Sequence, residues 1–200
     1  MPTRRGVDRR VQRTRGSLHG ALAALLHEKA YDDIVVKEIL ARANVGRSTF
    51  YEHFADKDAL LATGIDDLLR ANRAGAPSRV VGPEARAERL LRFSLPVFEH
   101  IARHRRDGEA VPDPRHHAVP HQRLQEAVAA HVADELRPTC PSGAADQGHF
   151  PPDLLAAHVA SVFVTVLQWW LTRPELLPAA RADATFRALA LSSLAATLGR

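Results

Sequence analysis

The sequence of 200 residues has a single cysteine, Cys140, so an intramolecular disulfide and a disulfide-stapled scaffold are both excluded. It also lacks a long apolar run: the longest, 162–171, is interrupted by Thr165 and Gln168 and reaches half of the roughly 20 residues of a membrane span. No apolar segment follows the basic N-terminus. We therefore expect no secretory signal, no membrane partner and a cytoplasmic protein.

The overall composition is that of an ordinary globular protein, with 46% hydrophobic and 25% charged residues. Lys and Arg total 27 against 23 Asp and Glu, which gives a mildly basic chain. The positive charge is concentrated at the beginning, where arginine occupies positions 4, 5, 9, 10, 13 and 15. This cluster predicts a basic N-terminal arm over 1–11. A solvated, disordered terminus has the same composition, whereas in front of a DNA-binding unit such an arm would touch phosphates or the minor groove.

Apolar residues recur at helical spacing along the chain, as in Leu18, Leu22 and Leu25, and no segment alternates long enough to predict a strand. Segments rich in proline, glycine and small polar residues at 72–83, 107–120 and 138–152 separate the helical stretches. The pattern predicts an all-α protein with a head over 12–72 and a helical body over 83–200. Pro96, inside a helical pattern, predicts a kink or break.

Two short helices joined by a tight turn are predicted between residues 34 and 54. Asn44, Val45 and Gly46 interrupt the helical pattern, and Phe50 and Phe54 lie four residues apart on what becomes the inner face of the second helix. This is the helix-turn-helix arrangement, whose second helix can enter a DNA major groove. Two amphipathic helices of a generic bundle are the alternative.

The side chains left on the outer face suit contacts with DNA. Arginine can pair with guanine O6 and N7, whereas Ser, Thr, Tyr and Lys suit phosphate oxygens. We therefore expect Arg47 to read a base. Lys37 lies in the first turns of the first short helix and Lys57 starts the helix that follows the pair, and we expect both to reach backbone phosphates.

The same residues resemble the TetR family of bacterial repressors. The resemblance lies in residues 31–39 (YDDIVVKEI), 43–45 (ANV), 48–54 (STFYEHF) and 56–60 (DKDAL). It implies a three-helix DNA-binding head on a larger helical body that dimerises and usually holds a small-molecule pocket. By position, it implies that Arg47, Ser48 and Thr49 face bases or nearby phosphates. Tyr51, His53 and Lys57 would hold backbone phosphate.

Two positions depart from the family pattern. Val35 stands where the family usually has Thr or Ser, so the first helix lacks a hydroxyl cap, and Gly46 stands where Ser is frequent. We expect both departures to weaken individual contacts and to leave the fold intact.

The segment 155–171 is apolar on nearly every side, and a helix of that kind must be buried on every side. The alanine-rich segment 181–198 supplies a neighbouring helix. A two-fold interface between copies of these helices is one solution, and the resemblance implies the same homodimer; a monomer core helix is the alternative. The predicted interface residues are Leu155, Val159, Val162, Val166, Trp169, Phe186, Leu189 and Leu194.

Apolar and aromatic residues of the body can line a cavity for a small effector, and because few charges accompany them an apolar or neutral ligand fits. Plain core is the alternative, since an apolar stripe at helical spacing is typical of core. The predicted lining residues are Phe93, Phe98, His100, Leu124, Val128, Phe163 and Trp170.

Other chemistry finds little support in the sequence. His116, His117 and His121 lack a carboxylate or cysteine anchor at ligand spacing, so we interpret them as a solvated loop and not a metal site, and His131 as a satisfied buried or pocket histidine. No catalytic constellation and no cofactor motif is visible. The helix-turn-helix pattern predicts a DNA-binding regulator, and the resemblance implies a dimeric repressor that is released from an inverted-repeat DNA operator by a ligand. The alternatives are a DNA-binding dimer without a pocket, controlled by a protein partner, and a helical enzyme or carrier.

Overall fold

The computed structural model describes residues 4–71, 83–104, 118–136, 150–173 and 177–198. These ranges form nine α-helices and one 3₁₀ turn at Tyr31–Asp33, with no strand among them, which confirms the predicted all-α fold. In chain order the helices are α1 (Arg4–Glu28), α2 (Val36–Ala43), α3 (Arg47–His53), α4 (Lys57–Ala71), α5 (Pro83–Leu90), α6 (Ser94–His104), α7 (Ala118–Leu136), α8 (Pro152–Leu171) and α9 (Ala179–Leu198).

The described residues divide into two compact units, called the head and the body below. The head contains the described residues up to Ile65 together with 118–120, and the body contains the others. Helix α1 begins at Arg4, so the part of the predicted arm from that residue to 11 is helical; arginine is a good helix former and nothing in the segment stops the helix. The predicted domain limits at 11, 72 and 83 stay predictions.

The head is built around one apolar cluster to which every helix of the head contributes. Side chains from α1 and α4 meet those of α2, α3 and the 3₁₀ turn, and Val119 at the start of α7 packs against the same cluster. The buried members are Leu18, Ala21, Leu22, Leu25, Tyr31, Ile34, Ile39, Phe50, Phe54, Leu60 and Leu61. Because α2 and α3 are too short to be stable alone, this cluster is what holds them.

The body is organised around α9, which packs against α5, α6 and α8. The break predicted at Pro96 lies at residues 91–93, between α5 and α6. Pro96 itself lies in the first turn of α6, where its missing N–H costs no helical hydrogen bond.

Helix α8 is the one helix in the described part of the chain with the length and apolar composition needed to cross a membrane. Half of that apolar stretch is buried within the fold. Val159, Phe163 and Leu167 are among the buried side chains, as in the core helix of a globular domain.

Candidate nucleic-acid interface

The turn between α2 and α3 has the backbone geometry that the sequence predicted. Asn44 ends α2 in the left-handed region at φ 52°, a conformation that asparagine tolerates better than most residues. The Val45 N–H donates to the Leu40 carbonyl over 3.1 Å, which closes the turn. Gly46 then takes the N-cap position of α3 in extended conformation. Two helices joined in this way form a helix-turn-helix unit.

The beginning of α2 is held by the carboxylate of Glu38. Its N-cap residue, Val35, has no hydroxyl and makes no side-chain hydrogen bond. Glu38 accepts a hydrogen bond from the Val35 N–H over 3.1 Å and from Lys29 Nζ over 2.5 Å. These donors, the Lys29 ammonium first, lower the pKa of Glu38 below its ordinary value. Glu38 therefore supplies one half of a capping box, and the missing hydroxyl is the other half.

Helix α3 has one buried and one exposed face. Phe50 and Phe54 are buried with their ring centroids 5.8 Å apart, as predicted. Arg47, Ser48 and Tyr51 are exposed. The burial of the two phenylalanines fixes α3 on the head and leaves the outer face to a ligand.

The other residues of the head that were predicted to contact DNA differ in how exposed their side chains are. Lys37 is exposed on α2, whereas Thr49 and His53 are half-buried on α3. Lys37 is therefore accessible to a phosphate, and Thr49 and His53 offer less surface. The roles predicted for all these residues toward DNA stay predictions.

Arg47 and Tyr51 form a stacked pair on the exposed face. The guanidinium carbon of Arg47 lies 5.6 Å from the centroid of the Tyr51 ring. The Tyr51 ring meets the buried Phe50 ring edge-on, with centroids 5.2 Å apart. From the sequence we predicted a separate DNA contact for each of the two residues and did not predict this pairing, although their spacing of four residues could have suggested it.

Lys57 begins α4, and its ammonium group makes contacts within the head that the sequence did not indicate. Its Nζ donates to the backbone carbonyls of Tyr31 over 2.8 Å and Ile34 over 3.0 Å, and lies 3.4 Å from the carbonyl oxygen of Asp32. The Tyr31 hydroxyl also donates to the neighbouring Asp58. The ammonium that was expected to bind phosphate is thus engaged by carbonyl oxygens inside the head.

Helix α1 adds positive charge to the head. Arg10 and Arg13 are exposed, and the guanidinium of Arg15 lies 5.6 Å from the Phe54 ring centroid. Arg15 therefore sits at the end of α3, a position that the spacing in the sequence could not reveal.

The residues predicted to line a ligand pocket are mostly packed together in the body. Phe98 contacts Phe163 and Trp170 with centroid separations of 5.1 and 5.5 Å, and Phe93 contacts Phe163 at 5.2 Å. Leu124 and Val128 are also buried. His100 differs because it is half-buried, with its ring nitrogen 3.4 Å from a nitrogen of Arg103. The ligand itself stays a prediction.

The predicted dimer-interface residues fall into two groups. Val162 and Trp169 are half-buried and Leu189 is exposed, so these three keep surface for a partner. The other five are already buried within one chain and therefore offer little surface to a partner: Leu155, Val159, Val166, Phe186 and Leu194. The interface as a whole stays a prediction.

The predicted solvated histidine loop is wrong for His121. This residue lies in α7 and is buried, with Gln168 Nε2 3.1 Å from its Nδ1. Burial lowers the pKa of His121 to about 4. His116 and His117 lie outside the described residues. His131 is buried beside Phe93, at a centroid distance of 5.5 Å, as interpreted from the sequence.

A polar network in the body was missed by sequence reasoning. Asp183 accepts hydrogen bonds from Ser94 Oγ and from Arg187 Nε, the latter over 2.9 Å. Arg187 also donates to Glu88 over 2.6 Å and to the carbonyl of Leu91 over 3.1 Å. The spacing of four between Asp183 and Arg187 was the one available signal. The network ties α9 to the break between α5 and α6.

Comparison with known proteins agrees with the geometry of the head. A family model described as "Bacterial regulatory proteins, tetR family" matches residues 19–63. The chain is 45% identical over 60 residues to the transcriptional regulator YxbF of Bacillus subtilis, which covers 30% of this chain and 16% of that protein. It is 31% identical over 74 residues to the regulator EthR of Mycolicibacterium smegmatis, and this match covers 37% of this chain and 34% of EthR. These matches span about a third or less of the relatives' length.

Solved structures share the fold over nearly the whole chain. RolR, solved in complex with resorcinol, has a TM-score of 0.52 at 19% identity. The match covers 93% of this chain and 89% of RolR. A regulator from Pseudomonas aeruginosa PAO1 has a TM-score of 0.51 at 20% identity, with 90% of each chain covered. The helix-turn-helix geometry and the family match agree over residues 19–63: this segment is a DNA-binding head of the tetR family type, and the solved structures show that the rest of the chain shares their helical fold.

Proposed function

We propose that the protein is a cytoplasmic transcriptional repressor that binds an inverted-repeat operator as a homodimer and leaves it when a small apolar or neutral ligand binds the body. The observation that carries DNA binding is the division of α3 into a buried and an exposed face. Phe50 is fully buried, while Arg47, Ser48 and Tyr51 point away from the core. An exposed helix with an arginine and hydroxyl groups can enter a major groove. The proposal includes no catalytic activity.

Dimerisation is supported by uncharged side chains that remain exposed on α8 and α9. Two copies joined there would present two recognition helices to successive major grooves, which is why the operator should be an inverted repeat. Exposed apolar residues on a helix pair are typical of such an interface. The apolar residues concerned are Leu154 and Ala157 of α8 and Ala184, Ala188 and Leu189 of α9, and the uncharged polar residues Ser161, Thr165 and Ser192 are exposed on the same two helices.

The ligand is supported by analogy of fold and by chemistry. RolR was solved with resorcinol, a small aromatic diol, and this chain has aromatic side chains in its body. A second candidate is a DNA-binding dimer without a ligand, controlled by a protein partner. It is favoured by the direct contact of Phe98 with Phe163 and Trp170, because rings packed against each other leave little room between them.

Binding of the purified protein to its own upstream DNA, measured by mobility shift across a salt series, tests the function. We expect saturable, salt-dependent binding to an inverted repeat, with two protomers per site. Equal affinity for random DNA would contradict the proposal. Once an operator is known, release by small aromatic compounds favours the ligand-controlled repressor, and release by none of them favours control by a protein partner.

A further inference from the structure

The stacked pair on α3 places a planar cation against a planar ring. Arg47 and Tyr51 are four residues apart, so they lie on adjacent turns of the same helix face. The guanidinium lies 5.6 Å from the ring centroid, within the range in which the ring quadrupole attracts a cation. The Tyr51 side chain is 48% exposed, so the pair lies on the surface that the proposed function assigns to DNA.

The orientation of the Tyr51 ring is itself fixed by the core. Phe50, which is fully buried, meets the Tyr51 ring at 90° with centroids 5.2 Å apart. Phe50 is packed in turn against Phe54. The buried Phe50 therefore positions the Tyr51 ring, and the Tyr51 ring contacts the guanidinium of Arg47.

Stacking leaves the hydrogen-bonding edge of the arginine available. The guanidinium carbon lies over the face of the ring, and a guanidinium parallel to the ring keeps its five N–H donors, which lie in its own plane, available. Pairing with guanine O6 and N7 uses two of these in-plane donors. An arginine that is already stacked loses less side-chain freedom when it makes that contact.

Building on the DNA binding proposed above, we propose that Tyr51 is a positioning residue for Arg47, and that its ring, not its hydroxyl, sets the base discrimination of α3. Tyr51 then acts through Arg47 and not through the phosphate contact that the sequence predicted. Specificity toward guanine belongs to the pair, and affinity for the DNA backbone belongs to other residues.

The test compares affinities for two duplexes: an inverted repeat obtained by in vitro selection with the wild-type protein, and the same duplex with one G·C pair per half-site replaced. Tyr51→Phe keeps the ring, so it should discriminate as the wild type does, within about two-fold. Tyr51→Leu should lose roughly two- to five-fold in discrimination, and Arg47→Ala roughly five-fold or more. In the Arg47→Ala background, Tyr51→Leu should have no further effect on discrimination.

Loss of discrimination in Tyr51→Phe, or wild-type discrimination in Tyr51→Leu, would overturn the proposal. A ring-current shift of the Arg47 side-chain protons in the free protein gives a second readout: it should persist in Tyr51→Phe and vanish in Tyr51→Leu. Its absence in the wild type also overturns the proposal. If the wild type selects no sequence, the proposed function is wrong and the base-reading role with it. Thermal unfolding checks that each variant folds.

Discussion

The ammonium group of Lys57 donates a hydrogen bond to the backbone carbonyl of Tyr31 over 2.8 Å, and its Nζ lies 4.4 Å from the centroid of the Tyr31 ring. A second bond reaches the Ile34 carbonyl over 3.0 Å. The first residue of α4 therefore holds the turn that precedes α2. Lys57 supports the position of the helix-turn-helix unit from inside the head.

Replacing Lys57 with methionine should therefore destabilise the protein. The variant loses charged hydrogen bonds to two carbonyls, and we expect the free energy of unfolding to fall by about 1–3 kcal/mol. We expect the slope of DNA affinity against salt to stay unchanged, because the lysine is engaged within the head. Chemical denaturation and a salt series of binding measurements give the two quantities.

Lys37→Met is the matched control, because Lys37 is exposed on α2. Its free energy of unfolding should stay within about 0.5 kcal/mol of the wild type. The salt slope should fall by about 0.9 for each phosphate contact that is lost. The opposite pattern, with a reduced slope in the Lys57 variant and normal stability, would restore the phosphate role predicted for Lys57.

In the body, Arg187 is expected to contribute more to stability than an ordinary surface arginine. It donates to Asp183, which is buried, and to the carbonyl of Leu91 at the break between α5 and α6. Arg187→Met leaves a buried carboxylate without its cation, so we expect a loss of about 2 kcal/mol in the free energy of unfolding.

Arg70→Met is the control for Arg187, because it also removes an ion pair with a spacing of four residues. Arg70 contacts Asp66 over 3.1 Å, but both side chains are about half exposed or more. The expected loss is below about 0.5 kcal/mol. Equal losses in the two variants would mean that the Asp183 network adds nothing beyond a surface pair.

His121 should make stability depend on pH. Burial lowers its pKa from 6.5 to about 4, so between these values the unfolded chain binds a proton that the folded chain does not. Stability contributed by the neutral ring is therefore present above pH 6.5 and lost as the pH falls toward 4, by at most about 1.4 kcal/mol per pH unit. His121→Gln should remove this component, measured as the difference between the two unfolding curves over that range.

The control for His121 is His158→Gln, because His158 is exposed on α8. Its unfolding free energy should follow the wild type at every pH. If the His121 and His158 variants have the same pH dependence, burial of His121 is not the cause.

Local signals in the sequence were enough for the helix-turn-helix unit. Asn44 and Gly46 determine the turn through their own backbone preferences, and the spacing of Phe50 and Phe54 determines the inner face of α3. These features depend on neighbours within a few residues. The predicted start of α2 at Ile34 differed by two residues, because Ile34 ends the 3₁₀ turn and Val35 is the cap of α2.

Features that depend on distant parts of the chain could not be predicted. Lys57 meets a carbonyl 26 residues earlier, and His121 meets a glutamine 47 residues later. Helical spacing shows that Val159 and Val166 are apolar, but it cannot tell whether α9 of the same chain or a second copy covers them. The structure shows that both residues are buried within one chain.

Leu189 is the residue whose substitution should disrupt the proposed dimer. Its side chain is 52% exposed on α9, so arginine can replace it without entering the core of one chain. Two charges brought together at a two-fold interface would repel each other. We expect Leu189→Arg to halve the mass measured by light scattering and to leave the fold intact.

Val35→Arg, a similar change at an exposed residue of the head, is the control and should keep the wild-type mass. If the Leu189→Arg variant is still a dimer, the interface lies elsewhere on the chain.

Completing the cap of α2 should stabilise the head. Val35 is 54% exposed and extended, and Glu38 already accepts a hydrogen bond from its N–H over 3.1 Å. In Val35→Thr the new hydroxyl can accept from the Glu38 N–H, which supplies the missing half of the capping box. We expect a gain of about 0.5–1 kcal/mol in the free energy of unfolding, measured by denaturation. Val35→Ala adds no acceptor and should give no gain. If alanine stabilises as much as threonine, the benefit comes from removing an exposed valine and not from the hydrogen bond.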